Sequence, residues 1–167
     1  MDIVERLFQN EDVDPIDIVE TLAEHYEWDF DRITDDQIAM AIEGSWRTYG
    51  VTLTWSSFDE TLRILCSFEM NPPNEKINNL LEILNLANNK LWNGSFAFAE
   101  KQSLMIFRYG MNLAGGARAS ANQIDSIVEN AIVACEQFYP AFQLTCWGNE
   151  SPEASLTIAF DKSYGRA

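Results

Sequence analysis

Apolar residues near the middle of the chain recur at the spacing of an amphipathic helix. They lie between two polar segments, Asn-Pro-Pro-Asn-Glu-Lys at 71–76 and Asn-Gly at 93–94. Residues that recur every three or four positions share one face of a helix, and a wide stripe of this kind can cover a sheet. The pattern therefore predicts a helix that packs on a sheet through Ile77, Leu80, Leu81, Leu84, Ala87 and Leu91.

The ends of this helix are marked by residues with special backbone preferences. Pro72 and Pro73 cannot lie inside a helix but fit its first turn. We therefore expect the helix to begin there, with Asn71 or Asn74 as its cap. The Asn-Gly pair at 93–94 tolerates the left-handed conformation in which many helices end, so we expect the helix to stop at that pair.

Alternating apolar and polar positions predict strands on both sides of this helix. Three segments before it, at 38–43, 49–55 and 62–70, each have one apolar face and one polar face. Strands of this type suit an antiparallel sheet that is covered on one side. Two aromatic-rich segments follow the helix, at 95–99 and 104–113, and are separated by a short polar turn.

Two further helices are marked by their caps. Asp14 caps a helix that begins at Pro15, because the carboxylate accepts hydrogen bonds at the positive helix end. Ser120 and Gln123 form a capping box at the start of the longest apolar stripe in the chain. We expect Pro140 to kink or interrupt this second helix before it continues to the glycine at 148.

These elements combine into one α+β domain. We expect a five-stranded antiparallel sheet covered by helices, in the order α-β-β-β-α-β-β-α. Residues 28–31 form a short strand or an extended segment outside that count. The predicted boundaries are 1–13 for an N-terminal extension with a short helix at 1–9, 14–160 for the domain, which closes with a helix started by Pro152, and 161–167 for a frayed tail.

The charge of the chain is strongly negative and unevenly distributed. The net charge is −15. Residues 1–60 contain 16 acidic and 3 basic side chains, whereas residues 61–167 contain 10 and 8. Such a surface repels the phosphate groups of nucleic acids and of anionic membranes, so neither is an expected partner. The acidic first third is either a solvated face or a docking surface for a basic partner.

Membrane and export signals are not expected either. No apolar run approaches the ~20 residues that a membrane helix requires. The first residues lack the basic region of a signal peptide, so we expect a cytoplasmic protein.

The sequence offers few groups for catalysis or metal binding. The three cysteines, Cys66, Cys135 and Cys146, lie in apolar surroundings and are expected to be reduced core residues. His25 is the only histidine, which excludes most metal sites and most Ser-His or Cys-His arrangements. The glycine pair at 115–116 does not fit a phosphate-binding loop. We therefore predict no catalytic residue, no cofactor and no metal.

Two sets of residues are candidates for binding. Trp46, Trp55 and Trp92 lie on different elements and are candidate groove aromatics, although a tryptophan more often belongs to the core.

In the strand at 104–113, Leu104 and Ile106 face away from Met105. A strand that is apolar on both sides is either central in the sheet or lies under a partner. Leu65 on the neighbouring strand extends this second face, and Arg108 is placed to make an interface contact; the candidate interface is thus Leu65, Leu104, Ile106 and Arg108.

From about residue 14 to residue 159 the chain resembles the YbjN family, also labelled bacterial sensory transduction regulators. The resemblance is carried by four segments: Asn89-Lys90-Leu91-Trp92-Asn93-Gly94-Ser95-Phe96, Phe107-Arg108, Phe138-Tyr139-Pro140-Ala141-Phe142, and Gly148 followed by Ser151-Pro152-Glu153-Ala154. This family is similar in fold to the type III secretion chaperones, which are dimeric, acidic and non-enzymatic. The resemblance therefore implies a regulatory or chaperone-like binding protein and supplies no catalytic residues.

Two functions remain open from the sequence. The first is a non-enzymatic cytoplasmic regulatory or chaperone-like protein that binds a protein partner in stress or signalling responses and forms a homodimer. The alternative is a small-molecule-sensing domain with a pocket between helix and sheet. An enclosed apolar pocket with convergent polar groups would favour the sensor, whereas a flat apolar patch or groove would favour the protein-binding regulator.

Overall fold

The chain folds into an antiparallel sheet with helices packed on one of its faces. The computed structural model describes residues 14–164, and the side chains of residues 14–161. Its helices are α1 (Pro15–His25), α2 (Ile77–Asn88), α3 (Ala121–Trp147) and α4 (Pro152–Tyr164). Its strands are β1 (Asp29–Thr34), β2 (Gln37–Glu43), β3 (Thr48–Ser56), β4 (Thr61–Glu69), β5 (Ser95–Ala99) and β6 (Leu104–Asn112).

The sheet has the order β1-β2-β3-β4-β6-β5, and every neighbouring pair is antiparallel. The α+β class and the antiparallel sheet are confirmed, but the sheet has six strands rather than the predicted five. The additional strand is β1, whose residues read only as a short strand or extended segment because few of them are apolar. Arg32 joins this edge strand to α1 through ion pairs with Asp17 (3.0 Å) and Glu20 (2.7 Å).

One face of the sheet carries the core. Residues on this inner face alternate with exposed or half-buried residues along each central strand, and they pack with the helices into one hydrophobic cluster. Inward alternation of this kind buries a whole face at the period of two that a strand imposes. The fully buried members on the sheet include Ile38, Tyr49, Val51, Leu53, Leu62, Ile64, Cys66, Met105 and Phe107.

Helix α2 is shorter than the sequence pattern predicts. A 3-10 turn at Asn74–Lys76 precedes it, Lys76 rather than an asparagine is the N-cap residue, and the helix ends at Asn88. Its rotation also differs, because Leu81 is 49% exposed whereas Ile83 is fully buried. The predicted stripe includes Leu81 and omits Ile83 because helical spacing alone does not show which apolar residues at the margin of a stripe are buried.

Helix α3 continues through Pro140 without interruption and ends at Trp147, with Gly148 as its C-cap. A proline inside a helix removes one backbone hydrogen bond and crowds the preceding turn. Here Phe138 and Phe142, on either side of the proline, are both buried in the same core. Their burial favours one continuous helix, so the predicted interruption is wrong while the predicted end is right.

Both predicted cap motifs are present. Ile16 N donates to Asp14 Oδ1 at 2.9 Å, and Ser120 and Gln123 exchange the two hydrogen bonds of a capping box.

The helix predicted at 1–9 lies outside the described residues. Helix α4 extends to Tyr164, into the segment predicted as a frayed tail. Among the helices described here, none is both long enough and apolar enough to cross a membrane.

Candidate functional site

The outer face of the sheet has an apolar surface on its last three strands, β4, β6 and β5. Leu65 of β4 lies opposite Arg108 of β6, and Ile106 and Leu104 follow at alternate positions on the same face. The side chain of Leu65 is 43% exposed, and Leu104 and Ile106 are half-buried. On the other side of β6, the alanines at 97 and 99 of β5 pair with Ile106 and Leu104. We call Leu65, Leu104, Ile106, Ala97 and Ala99 the outer strip.

Charged residues border the outer strip on the same face. Arg108 is exposed beside Leu65, and Glu69 lies opposite Leu104. Arg63 lies one step further along β4 and pairs with Asp59 at 2.6 Å, which lowers the pKa of the Asp59 carboxyl below its usual value. The four residues of the candidate interface are thus brought together, with a cation at one end of the strip and a carboxylate at the other.

The three candidate groove aromatics do not line one groove. Trp46 precedes β3 and Trp55 lies near its end, so the length of the strand, roughly 30 Å, separates them. Trp92 lies between α2 and β5 at the sheet edge, and its side chain is 96% exposed. Trp46 and Trp55 stay apart because they lie at opposite ends of the same extended strand.

Trp46 instead belongs to an aromatic cluster at one end of the molecule. Its ring stacks on Tyr139 of α3 with a centroid distance of 6.2 Å. The guanidinium of Arg47 lies over the rings of Phe68 (5.8 Å) and Tyr139 (6.0 Å), and its Nη1 donates to the carbonyl oxygen of Glu69 (2.8 Å). These contacts account for Trp46 and Arg47 as residues that fix the β2–β3 turn.

A cleft of about 400 Å³ lies on the other side of the sheet, between α3 and the first strands. The rings of Tyr26 and Trp28 stack at one side of it, with centroids 4.9 Å apart and an interplanar angle of 26°. Two carboxylates of α3, Asp125 and Glu129, also line it, and Tyr26 Oη donates to Asp125 Oδ2 at 2.8 Å. We call this feature the α3 cleft.

The described residues contain no arrangement typical of covalent or metal chemistry. They include no group of three or more His, Cys, Asp or Glu side chains that could hold a metal ion. Cys66 and Cys135 are buried free thiols with their sulfurs 3.6 Å apart. The hydrogen bond between them and burial raise the pKa of the Cys135 thiol, and burial raises that of Cys146 to about 11. A raised pKa disfavours the nucleophilic thiolate, so these thiols behave as core groups.

Several structural contacts were not visible in the sequence. Glu136 accepts hydrogen bonds from Tyr49 Oη (2.6 Å) and from the backbone nitrogens of Ser45 (3.1 Å) and Trp46 (3.3 Å). A Cβ on Gly44 would collide with the Glu136 carboxylate. A glycine at the end of an otherwise regular strand was the available signal for this close approach. The hydrogen bond from Tyr26 to Asp125 had no local signal, because the two residues are far apart in sequence.

The fold and its surfaces define a class: an α+β protein with a one-sided helical cover, an apolar strip on its open face and no catalytic constellation among the described residues. The sequence model of the YbjN family, described as "Putative bacterial sensory transduction regulator", matches residues 15–144, and the chain belongs to this family. No curated protein matches the sequence.

Two solved structures are similar to the chain. One is the crystal structure of YbjN from E. coli, described as "a putative transcription regulator", with a TM-score of 0.54 and 8% identity over 90% of this chain and 96% of that one. The other is the HopA1-SchA chaperone-effector complex, with a TM-score of 0.46 and 13% identity over 80% and 92%. At this level of identity the first likeness shows a shared fold.

Proposed function

We propose that this protein is a non-enzymatic regulatory protein of the bacterial cytoplasm that acts by binding another protein through its outer strip. The observation that carries the proposal is the outer strip itself. Its leucines and isoleucine lie on β4 and β6, the fourth and fifth of the six strands, where the described helices leave the face open. An exposed apolar patch that is bordered by charges is typical of a protein-binding surface.

The occupant that we propose for the outer strip is a second copy of the same chain. A two-fold interface requires a surface that is complementary to itself. The strip meets this condition, because Arg108 and Glu69 border it at opposite levels along the strands. A two-fold axis that crosses the strands near Ile106 would bring Arg108 of each copy to the level of Glu69 of the other, one strand to the side and within reach of the long arginine side chain.

The regulatory and non-enzymatic parts of the proposal are supported by different observations. Membership of a family described as a sensory transduction regulator supports a regulatory role. The pKa of Cys135 is raised, which argues against thiol catalysis, and His25 is exposed at the end of α1. We therefore expect no hydrolase, transferase or redox turnover. Reproducible turnover that a single substitution abolishes would contradict this part of the proposal.

The test of the binding surface is a change of mass on substitution of Ile106. Ile106→Asp places a carboxylate in the strip, and we expect a folded monomer in place of a wild-type dimer with twice the 19.0 kDa mass of one chain. Size-exclusion chromatography with light scattering at tens of micromolar gives the mass, and circular dichroism checks folding.

Ala41→Asp is the matched control for this experiment. Ala41 is exposed on the same face, but it lies on β2, two strands away from β4. This variant should remain a dimer. A wild-type protein of monomer mass would rule out the second copy as occupant, and an Ile106→Asp dimer would show that the copies meet through another surface.

A second candidate function is small-molecule sensing. The observation that favours it is the α3 cleft, which lies between helix and sheet and whose volume is within the range of about 300–1,000 Å³ for small-molecule sites. The cleft and the outer strip lie on opposite faces of the sheet, so a ligand in the first leaves the second free for a protein.

A further inference from the structure

We propose that the α3 cleft binds a small organic cation with an apolar body. The inference goes beyond protein binding at the outer strip and does not depend on it. Three properties of the cleft lead to this class of ligand: its apolar lining, its two carboxylates and its aromatic pair.

The lining of the cleft is mostly apolar. Ile42 of β2 contributes from the sheet, and Val128, Ile132 and Val133 contribute from α3. Val133 is 43% exposed although it is apolar, so a ligand body placed against it would remove that surface from water. Burial of apolar surface is favourable by roughly 25 cal/mol per Å². The ligand therefore needs an apolar part.

The charge around the cleft is negative. Asp125 and Glu129 are four residues apart on α3, which places them on the same side of the helix. Among the described residues that line the cleft, these two carboxylates are the only charged side chains. Because the whole chain carries a net charge of −15, an anion would be repelled there and a cation attracted.

Tyr26 fixes the position of one of these carboxylates. Its hydroxyl donates to Asp125 Oδ2 at 2.8 Å, whereas Asp125 Oδ1 accepts no hydrogen bond within the part of the chain that the structure describes. A ligand N–H can use this second oxygen without displacing Tyr26. A quaternary ammonium can instead lie beside the carboxylate without a hydrogen bond.

The stacked rings of Tyr26 and Trp28 supply the third property. Aromatic faces attract cations through the ring quadrupole, and tryptophan and tyrosine are the rings that do so best. Both rings line the cleft, so a ligand seated there lies against them. The rings and the carboxylates that line the cleft both favour a positively charged ligand. The cleft volume of about 400 Å³ suits a small molecule.

The test compares three probes that share a benzyl body. Benzyltrimethylammonium is the cation, benzyl alcohol is the neutral probe, and phenylacetate is the anion. Each is titrated into the 167-residue chain with methyl-labelled valine, and NMR follows the methyl shifts of Val128 and Val133. We expect saturable shifts for the cation, at least about tenfold weaker binding of the neutral probe, and no binding of the anion.

A double substitution tests the role of the carboxylates. Asp125→Asn with Glu129→Gln should weaken binding of the cation by about tenfold and leave the neutral probe unchanged. The control, Glu82→Gln with Glu100→Gln, removes two exposed carboxylates from other elements and should change neither. Valine methyl spectra without ligand show whether each variant keeps the native fold.

The proposal is overturned if the three probes bind equally, if none saturates at millimolar concentration, or if the shifts map to other valines. It is also overturned if nuclear Overhauser contacts join residues 1–13 to Val133 and the cation does not displace them. In that case the occupant is the chain's own N-terminal segment. These readouts concern the cleft, whereas the mass of the Ile106→Asp variant concerns the outer strip, so the two proposals can fail separately.

Discussion

The hydroxyl of Tyr49 donates a hydrogen bond of 2.6 Å to Glu136 Oε1, and this bond joins β3 to α3 across the core. Tyr49 is fully buried. Glu136 also accepts from two backbone nitrogens of the β2–β3 turn, so one carboxylate fixes the strand, the turn and the helix relative to each other. Burial and the hydrogen bond to Glu136 raise the pKa of Tyr49, which keeps the hydroxyl protonated and able to donate.

Tyr49→Phe should lower the free energy of unfolding by about 1–2 kcal/mol, because it removes a buried hydrogen bond to a charged acceptor. Urea denaturation monitored by circular dichroism measures the change. Tyr109→Phe is the control, since Tyr109 is half-buried on the same inner face of β6. If both substitutions cost the same, the bond to Glu136 contributes nothing specific.

The stability of the protein should fall at alkaline pH through Cys146. Burial raises the pKa of this thiol from 9.0 to about 11 in the folded chain. The folded state therefore retains the proton when the unfolded state has lost it, and the contribution is present below about pH 9 and lost as the pH rises through about 11. We expect the stability difference between wild type and Cys146→Ala to shrink over this interval.

Urea denaturation with a reducing agent, repeated at steps of pH, measures this difference. Subtracting the variant removes the titration of the other groups, because both proteins share them. A difference that stays constant from neutral pH to beyond the interval would show that Cys146 titrates as it does in the unfolded chain.

Leu84→Ala should destabilise the protein by about 2–5 kcal/mol, the usual cost of truncating a buried leucine. Leu84 is 7% exposed on α2. Leu81 lies on the same helix but is 49% exposed, so Leu81→Ala should cost less than about 1 kcal/mol. Chemical denaturation of both variants measures the contrast, and equal costs would mean that α2 is rotated from its position here.

Asn88 closes the free edge of the sheet at β5. Its Nδ2 donates to the Phe96 carbonyl oxygen at 3.1 Å, and its Oδ1 accepts from Phe96 N at 2.7 Å. The side chain thus bonds the outward backbone groups of an edge strand, as a neighbouring strand would. Asn88→Ala should cost about 1–3 kcal/mol and accelerate amide hydrogen exchange at Phe96.

Hydrogen exchange followed by NMR measures the Phe96 rate directly. Asn85→Ala, at an exposed position on the same helix, is the control and should leave that rate unchanged. Unchanged protection of Phe96 in the Asn88 variant would mean that the edge is closed by other contacts.

We expect negligible binding of duplex DNA at physiological salt, because the net charge of −15 repels the phosphate backbone. Fluorescence anisotropy of a labelled duplex at about 0.15 M salt measures it, with a basic DNA-binding protein as positive control. Micromolar binding that weakens with added salt would contradict the prediction and indicate a direct role in transcription.

The sequence by itself determined the element types and the main caps. Period-two alternation in β2, β3 and β4 and the capping box at Ser120 are local signals. They can be recognised without knowing which elements pack beside them. It also placed Leu65, Leu104, Ile106 and Arg108 on one face, because strand alternation assigns faces residue by residue.

Only the tertiary structure decided which elements meet. The sixth strand forms by pairing with β2, where Arg32 also joins it to α1, and the uninterrupted α3 is held by the core on both sides of Pro140. The hydrogen bonds from Tyr49 to Glu136 and from Tyr26 to Asp125 join residues from distant parts of the chain. Such contacts depend on how the helices pack on the sheet, and because packing joins segments with no shared local pattern, periodicity and caps could not specify them.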